Sequence, residues 1–280
     1  MNSRRTTRGR RLWTFAVAGL LTVAAAAAPA SATQQNTGNG NADTKPTVVM
    51  VHGAWADASG WDGVTRRLVN HGYTVRNPPN PLRGLSNDAA TIRDFLSTLS
   101  GPIILVGHSY GGAVITNAAT GNPNVKALVY VDAFAPKEGE SVFPLAGADS
   151  ALNVDPATVF DFVPYPGAPD GDVDLYLKHS TFLDSFATGV PRPQAELLYA
   201  NQRPLTLSAG FAPSGTPAWA TIPSWYVLGT EDAIITPAAQ QFMAERAGST
   251  ITRVKAGHLS MITAAPQVSA VIEQAARATS

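Results

Sequence analysis

GPIILVGHSYGGA, residues 101–113, joins a short apolar run to a glycine-rich turn. The four consecutive apolar residues Ile103 to Val106 predict a buried strand. Gly107, Ser109 and Gly111 then give the pattern Gly-x-Ser-x-Gly, in which a serine lies on a sharp turn between a strand and a helix. Small residues are needed beside the serine because its backbone is strained and larger side chains collide there. The pattern favours a nucleophilic serine over a chance turn, provided that the rest of the chain supplies a base and an acid.

Alternating strands and helices are expected on both sides of this segment. Continuous apolar, β-branched runs are typical of parallel strands buried on both faces, and apolar residues spaced by three and four are typical of helices. This alternation predicts an α/β fold with a mostly parallel sheet and helices on both faces. The expected strands are 47–51, 73–76, 103–106, 125–131, 225–228 and 251–254, and the expected helices are 58–69, 86–99, 113–119, 237–247 and 266–278.

Residues 136–221 interrupt the alternation. Eleven of the 21 prolines lie here, which argues against sheet strands, and one stretch, Asp172–Ser185, has a helical pattern. Seven of its aromatic residues would be poorly solvated by water, so we interpret the segment as an inserted lid that covers the sheet. The core is then predicted to comprise residues 46–135 and 222–280. These seven aromatic residues are Phe160, Phe162, Tyr165, Tyr176, Phe182, Phe186 and Tyr199.

The first 32 residues are predicted to be a signal peptide. Five arginines precede an apolar run from Leu12 to Ala28, and Ala30-Ser31-Ala32 has the small residues of a cleavage site. The apolar run is too short for a stable membrane anchor, which needs about 20 strongly apolar residues. Residues 33–45 are polar and are expected to form a disordered leader. We therefore predict a secreted protein, cleaved after Ala32.

Composition restricts the mature chain to a few classes of protein. The sequence has no cysteine, so an exported form is held together by its apolar core and not by disulfides. Cleavage leaves 248 residues, enough for one α/β domain with an insertion, and a net charge of −5. This mild acidity, with no basic stripe, argues against nucleic acid as a partner.

Two downstream residues complete the chemistry that Ser109 requires. Asp232 follows the expected strand 225–228, and His258 follows the strand 251–254. Carboxyl ends of parallel strands meet at one edge of a sheet, so these side chains are expected to converge on Ser109, in the chain order serine, acid, histidine. Asp132 also follows a strand and is an alternative acid. The five histidines show no metal-ligand spacing, so no metal is predicted. His52 and His108 are expected to be structural and His71 to be exposed. His179 is a candidate substrate contact from the insertion.

The chain resembles the α/β-hydrolase superfamily, in particular its small lidded carboxylesterases such as plant salicylate-ester and bacterial pyrethroid-type esterases. The resemblance extends from about Thr47 to Ala275 and depends on four motifs: Val-His-Gly-Ala-Trp at 51–55, Gly-His-Ser-Tyr-Gly-Gly at 107–112, Gly-Thr-Glu-Asp at 229–232 and Gly-His at 257–258. It implies a Ser109 nucleophile, a His258 base and an Asp232 that orients the imidazole. It also implies an oxyanion hole formed by the backbone N–H groups of Ala54 and Tyr110. Gln202-Arg203-Pro204 recurs in the pyrethroid-type relatives without an evident role.

These observations predict a secreted serine carboxylesterase that hydrolyses small-molecule esters through an acyl-enzyme intermediate, without a cofactor. Three alternatives use the same scaffold: a hydroxynitrile lyase, cofactor-free perhydrolysis and a non-catalytic ligand-binding protein. Lyases of this type typically have threonine where this chain has Gly53 and lysine where it has Leu259. Both differences argue against cyanohydrin cleavage, and the complete set of serine, aspartate and histidine argues against a protein that only binds a ligand.

Overall fold

The computed structural model describes residues 45–279. The predicted signal peptide and all of the predicted leader except Lys45 lie outside these residues. The strands are β1 Thr47–Val51, β2 Val75–Arg76, β3 Ile103–His108, β4 Val125–Val131, β5 Phe160–Val163, β6 Asp174–Leu177, β7 Leu205–Thr206, β8 Ser224–Gly229 and β9 Thr250–Val254.

The helices lie between these strands and after the last one. They are α1 Asp62–Asn70, α2 Leu85–Ser97, α3 Tyr110–Ala118, α4 Val142–Leu145, α5 Pro156–Val159, α6 His179–Thr181, α7 Arg192–Ala200, α8 Leu207–Phe211, α9 Pro237–Arg246, α10 Ser260–Thr263 and α11 Ala265–Ala278. Short 3-10 turns lie at Ala58–Trp61 and Ala218–Ala220, and a π-helical turn at Phe182–Phe186. Within residues 45–279, no helix has the length and apolarity to cross a membrane.

Six strands form one parallel sheet in the order β2-β1-β3-β4-β8-β9. All six residues of β3 are buried, because α3 packs on one side with α2 and α11 packs against β3, β4 and β8 with α1. A strand that is covered on both faces needs no polar residue at every second position. Such strands therefore appear in the sequence as continuous apolar runs. The predicted α/β fold, with a parallel sheet and helices on its faces, is confirmed.

The register of the sheet brings the ends of its strands to one edge. Val51 pairs with Gly107, His108 with Val131, and Gly229 with Val254. The residues that follow these strands therefore emerge side by side. They are His52 after β1, Ser109 after β3, Asp132 after β4, Asp232 after β8 and His258 after β9.

The insertion, residues 136–221, contains a small antiparallel sheet in the order β5-β6-β7. The predicted helix Asp172–Ser185 is therefore wrong in its first half, since Asp174–Leu177 is strand β6 and helical structure begins at His179. Asp174, Leu175 and Leu177 are buried and Tyr176 is half-buried, and the strand pairs with β5 on one side and β7 on the other. The prolines also argued against strands, but those between β5 and β6 lie in the connecting turn and leave both strands intact.

Candidate active site

Ser109 lies on the strained turn between β3 and α3. Its φ of 52° and ψ of −126° are unusual for a residue with a side chain. A Cβ built on Gly107 would lie 2.6 Å from the carbonyl oxygen of Gly111, and one on Gly111 would lie 2.5 Å from the carbonyl oxygen of Val51. A Cβ on Gly112 would collide with the backbone at Phe134. The glycines are required because backbone atoms fill the space where their side chains would be.

Gly53 is equally restricted, in this case by Ser109 and its neighbour His108. A Cβ at this position would lie 2.6 Å from Ser109 Cβ and 2.8 Å from the carbonyl oxygen of His108. Threonine, the residue typical of hydroxynitrile lyases here, does not fit without moving the serine. The packing therefore agrees with the presence of glycine, and not threonine, at position 53 of this chain.

His258 and Asp232 form a buried pair at the carboxyl edge of the sheet. His258 Nδ1 lies 2.8 Å from Asp232 Oδ2, and both side chains are fully buried. Burial lowers the pKa of His258 to about 3, so its imidazole is neutral at pH 7. Nδ1 donates to the carboxylate, and His258 Nε2, which is buried and has no hydrogen-bond partner in the described range, keeps its lone pair. A neutral imidazole with a free Nε2 lone pair is the form that accepts a proton from a hydroxyl.

Asp232 receives hydrogen bonds on both carboxylate oxygens. Ile234 N and Ile235 N donate to Oδ1 at 2.7 and 3.1 Å, and Gln240 Nε2 donates to Oδ2 at 2.7 Å beside His258. Burial raises the pKa of Asp232, while these three donors act in the opposite direction. All four partners are donors, so the carboxylate needs no proton of its own.

Gln240 is a site residue that the sequence did not reveal. It is fully buried on α9, eight residues after Asp232, and its amide also donates to Ile235 O at 2.9 Å. A glutamine on a helix has no recognisable motif, and α9 offers only one further signal, the proline at its first turn. Only the fold shows that the eight residues from Asp232 to Gln240 bring the glutamine side chain back to the carboxylate.

Asp132 lies next to the pair and does not contact the imidazole. Its Oδ2 accepts from Ser260 N at 3.1 Å, while Oδ1 is buried without a partner in the described part of the chain. Burial first, and then the charge of Asp232, raise the pKa of Asp132 well above its usual range. Of the two candidate acids, Asp232 is the one that bonds the His258 imidazole. Asp132 instead accepts from the backbone N–H of Ser260, two residues after the histidine.

The backbone N–H groups of Ala54 and Tyr110 have no hydrogen-bond partner within residues 45–279. Tyr110 is the first residue of α3, where the helix leaves its N–H groups unpaired and its dipole favours negative charge. The Tyr110 side chain is buried, and its hydroxyl donates to Asp88 Oδ2 at 2.8 Å. The side chain thus belongs to the packing between α2 and α3, and the free N–H is what Tyr110 presents at the turn.

The remaining histidines have structural partners. His52 Nε2 accepts from Asn80 N at 3.0 Å, and His108 Nε2 bonds the backbone oxygen of His258 at 2.9 Å. Burial lowers the pKa of both imidazoles. His71 is exposed and pairs with Glu273, and His179 pairs with Glu196 at the surface. The described residues contain no cluster of three or more His, Cys, Asp or Glu side chains suited to a metal ion.

Aromatic side chains of the insertion close over the catalytic edge. The Phe186 ring lies 5.2 Å from that of His258 and 6.0 Å from that of Trp55, and Phe160 lies 5.7 Å from Trp55 on the other side. Ser109 is only 2% exposed. Beyond Phe160 the insertion encloses an apolar cavity of about 330 Å³, lined mainly by Phe143, Leu152, Phe160, Phe162, Leu175, Leu207 and Phe211.

Comparison with known proteins gives a consistent result. Residues 48–271 match the Alpha/beta hydrolase family. Over 110 residues the chain is 38% identical to a carbendazim hydrolyzing esterase from Nocardioides sp. (strain SG-4G), a match that covers 35% of this chain and 46% of the length of that relative.

Two solved structures have the same fold. One is an extracellular alpha/beta-hydrolase from a Paenibacillus species, described as sharing structural and functional homology with tobacco salicylic acid binding protein 2 (TM-score 0.66, 23% identity, 82% of this chain and 98% of the other). The second is a pyrethroid hydrolase (TM-score 0.65, 19% identity, 84% and 98%). The resemblance to the α/β-hydrolase superfamily that the sequence suggested is confirmed.

Proposed function

Because the chain belongs to the Alpha/beta hydrolase family, we propose that it is a carboxylesterase with Ser109 as nucleophile, His258 as base and acid, and Asp232 as the residue that orients the imidazole. The hydrogen bond between His258 Nδ1 and Asp232 Oδ2 carries the proposal, since it leaves Nε2 free on a neutral, buried ring. The match to a named esterase supports the reaction class.

The proposed reaction has two halves. His258 Nε2 takes the Ser109 proton as Oγ attacks the ester carbonyl, and the resulting oxyanion accepts hydrogen bonds from Ala54 N and Tyr110 N. The intermediate collapses to an acyl-serine, and His258 returns the proton to the departing alcohol. Water then repeats the steps in reverse order and releases the carboxylic acid.

A direct test is the Ser109→Ala variant. We expect esterase turnover to fall at least about 10³-fold, because the variant has no nucleophile. A fluorophosphonate should add to Ser109 of the wild type, located by mass spectrometry of the peptide. Ser97→Ala, a serine exposed on α2, is the matched control and should retain full turnover. Full turnover in Ser109→Ala, or label on another residue, would refute the mechanism.

The proposed substrates are small or medium esters with an apolar group. The cavity of the insertion supports this, because Phe160 and Leu175 line it and also contact Trp55, the neighbour of Ala54. Leu207→Phe should fill part of the cavity and reduce kcat/KM for a hexanoate ester about tenfold more than for an acetate ester. Leu197→Phe, at an exposed position, is the control. Equal effects of Leu207→Phe on both esters would place the acyl chain elsewhere.

We also propose that the protein is secreted after cleavage at Ala32, as the sequence of residues 1–32 predicts. The extracellular Paenibacillus relative supports an exported protein of this fold. Intact mass and N-terminal sequencing of protein from culture supernatant should give a chain that begins at Thr33. A cell-associated chain that retains Met1 would contradict the proposal.

A further inference from the structure

Trp55 adopts a left-handed backbone conformation immediately after Ala54. Its φ is 56°, a region that a bulky side chain occupies only when its surroundings hold it there. Trp55 ends the segment His52–Trp55, the oxyanion loop, and its own N–H belongs to the peptide group next to the one that carries the Ala54 N–H. What holds Trp55 therefore also fixes the proposed oxyanion donor.

Both hydrogen bonds that hold Trp55 end on the insertion. Its backbone N donates to Arg203 O at 2.9 Å, and its indole Nε1 donates to Leu175 O at 2.8 Å on strand β6. Its ring packs between Phe160 and Phe186, which also belong to the insertion. The oxyanion loop leaves the sheet at β1, yet the hydrogen bonds to Trp55 come from residues 136–221.

Gln202 connects the two acceptors. Strands β6 and β7 pair at Asp174–Thr206 and Leu175–Leu205. The side chain of Gln202 continues this pairing, because its Oε1 accepts from Leu177 N at 2.9 Å and its Nε2 donates to Leu177 O at 3.1 Å. An amide side chain thus acts as an additional strand residue and holds Arg203 at a fixed distance from β6. The motif Gln202-Arg203-Pro204, which the sequence left unexplained, has a physical role here.

We propose that Gln202 and Trp55 are positioning residues through which the insertion holds the oxyanion loop in its catalytic conformation. The inference rests on the proposed function, in which Ala54 N is an oxyanion donor. It follows that the insertion contributes to the rate of the chemical step as well as to substrate selection.

The experiment compares an oxygen ester with the thionoester of the same acid and alcohol. Sulfur accepts hydrogen bonds weakly, so thionoester turnover depends little on the oxyanion donors. Gln202→Met removes both hydrogen bonds to Leu177 while keeping the length of the side chain. We expect kcat for the oxygen ester to fall about tenfold, since displacing a catalytic group by less than about 1 Å has effects of this size. KM and thionoester turnover should change no more than about twofold, because the triad and the substrate pocket are intact.

Two further variants make the result decisive. Gln194→Met is the same substitution at an exposed position of α7 and should behave as the wild type. Trp55→Phe keeps an aromatic ring but lacks the indole N–H, and should lower the ratio of oxygen-ester to thionoester turnover in the same direction. This variant alone decides the question if Gln202→Met does not fold, as judged by circular dichroism. A rise in KM at unchanged kcat, or equal losses on both substrates, would overturn the inference. Activity retained in Ser109→Ala would instead refute the proposed function.

Discussion

At the scale of single residues, the site depends on how completely Asp232 is bonded. Its carboxylate accepts from two backbone N–H groups, from Gln240 and from His258. Gln240 and His258 share one oxygen, so the glutamine limits how far that oxygen can turn away from the imidazole. A buried carboxylate held in this way orients the histidine ring before any substrate binds.

Replacing Gln240 by Met should lower kcat about tenfold with KM nearly unchanged, because the imidazole loses part of its orientation while the substrate pocket stays intact. Steady-state kinetics on one soluble ester measures both constants. Gln241→Met, at the adjacent, half-buried position of the same helix, is the control. If Gln240→Met raised KM and left kcat unchanged, Gln240 would have to contribute to binding.

At low pH, the dependence of kcat/KM on pH is expected to follow the protonation of the His258 imidazole. Burial lowers its pKa to about 3, and a lowered pKa keeps the base neutral further into the acid range. We expect kcat/KM at pH 5 to remain within about a factor of two of its value at pH 7. An imidazole with the ordinary pKa of about 6.5 would be only about 3% neutral at pH 5. Circular dichroism at both pH values controls for unfolding, and an acid limb near pH 6.5 would mean that the ring is hydrated in the working enzyme.

The proposed site residues could be predicted where a residue follows directly from a strand end. Ser109, Asp232 and His258 belong to loops after β3, β8 and β9, and parallel strands must bring such loops together. Gln240 and Asp88 act from helices, through contacts that depend on tertiary packing, and no local pattern indicates them. The sequence favoured Asp232 over Asp132 as the acid, and the hydrogen bond between Asp232 and His258 supports that choice.

At the scale of elements, the core and the insertion differ in how far sequence determines them. In the core, strands β1, β3, β4 and β8 are apolar and almost wholly buried, and helices such as α2 repeat their apolar residues at three and four, so these elements are specified locally. In the insertion, β6 has only four residues, and the helical pattern read over Asp172–Ser185 gave the wrong answer for it. Short strands are decided by their partners.

Strand β6 also has a partner outside its sheet. Arg83, in the loop after β2, forms an ion pair with the buried Asp174 of β6. Arg83→Met should destabilise the protein by about 1 to 2 kcal/mol, because it leaves a buried carboxylate without its cation. Thermal or urea unfolding measures the loss, and hydrogen exchange should rise first in residues 160–177.

Arg66→Met, on the exposed side of α1, is the matched control for Arg83→Met. Adding Asp174→Asn to Arg83→Met should restore part of the stability, since the uncompensated charge is then gone. A double variant less stable than Arg83→Met would show that the pair matters for another reason.

At the scale of the whole molecule, the catalytic edge is closed. Ser109 and His258 are 2% and 0% exposed, and Phe186 stands between His258 and Trp55. If Ser109 is the nucleophile as proposed, we expect an ester to displace aromatic side chains of the insertion before it reaches the serine. The rate for a large ester should depend on that displacement more than the rate for a small one.

Phe186→Ala should raise kcat/KM for a bulky ester relative to an acetate ester by about tenfold, at a cost of about 3 to 5 kcal/mol in stability. Competition between the two esters in one reaction gives the ratio directly, independently of the amount of folded protein. Phe242→Ala, at an exposed position of α9, should leave the ratio unchanged. An unchanged ratio in Phe186→Ala would mean that substrates enter by another route.

The close backbone packing around Gly53, Gly107, Gly111 and Gly112 has a consequence for directed evolution. Random substitutions at Gly107, Gly111 and Gly112 should yield almost exclusively inactive clones, because a Cβ at each of these positions would lie within 2.6 Å of a backbone oxygen. Heritable variation in substrate range is therefore expected to accumulate around the cavity of the insertion, at residues such as Phe143 and Leu207. We therefore expect the glycines around Ser109 to tolerate almost no substitution, and the residues that line the cavity of the insertion to tolerate many.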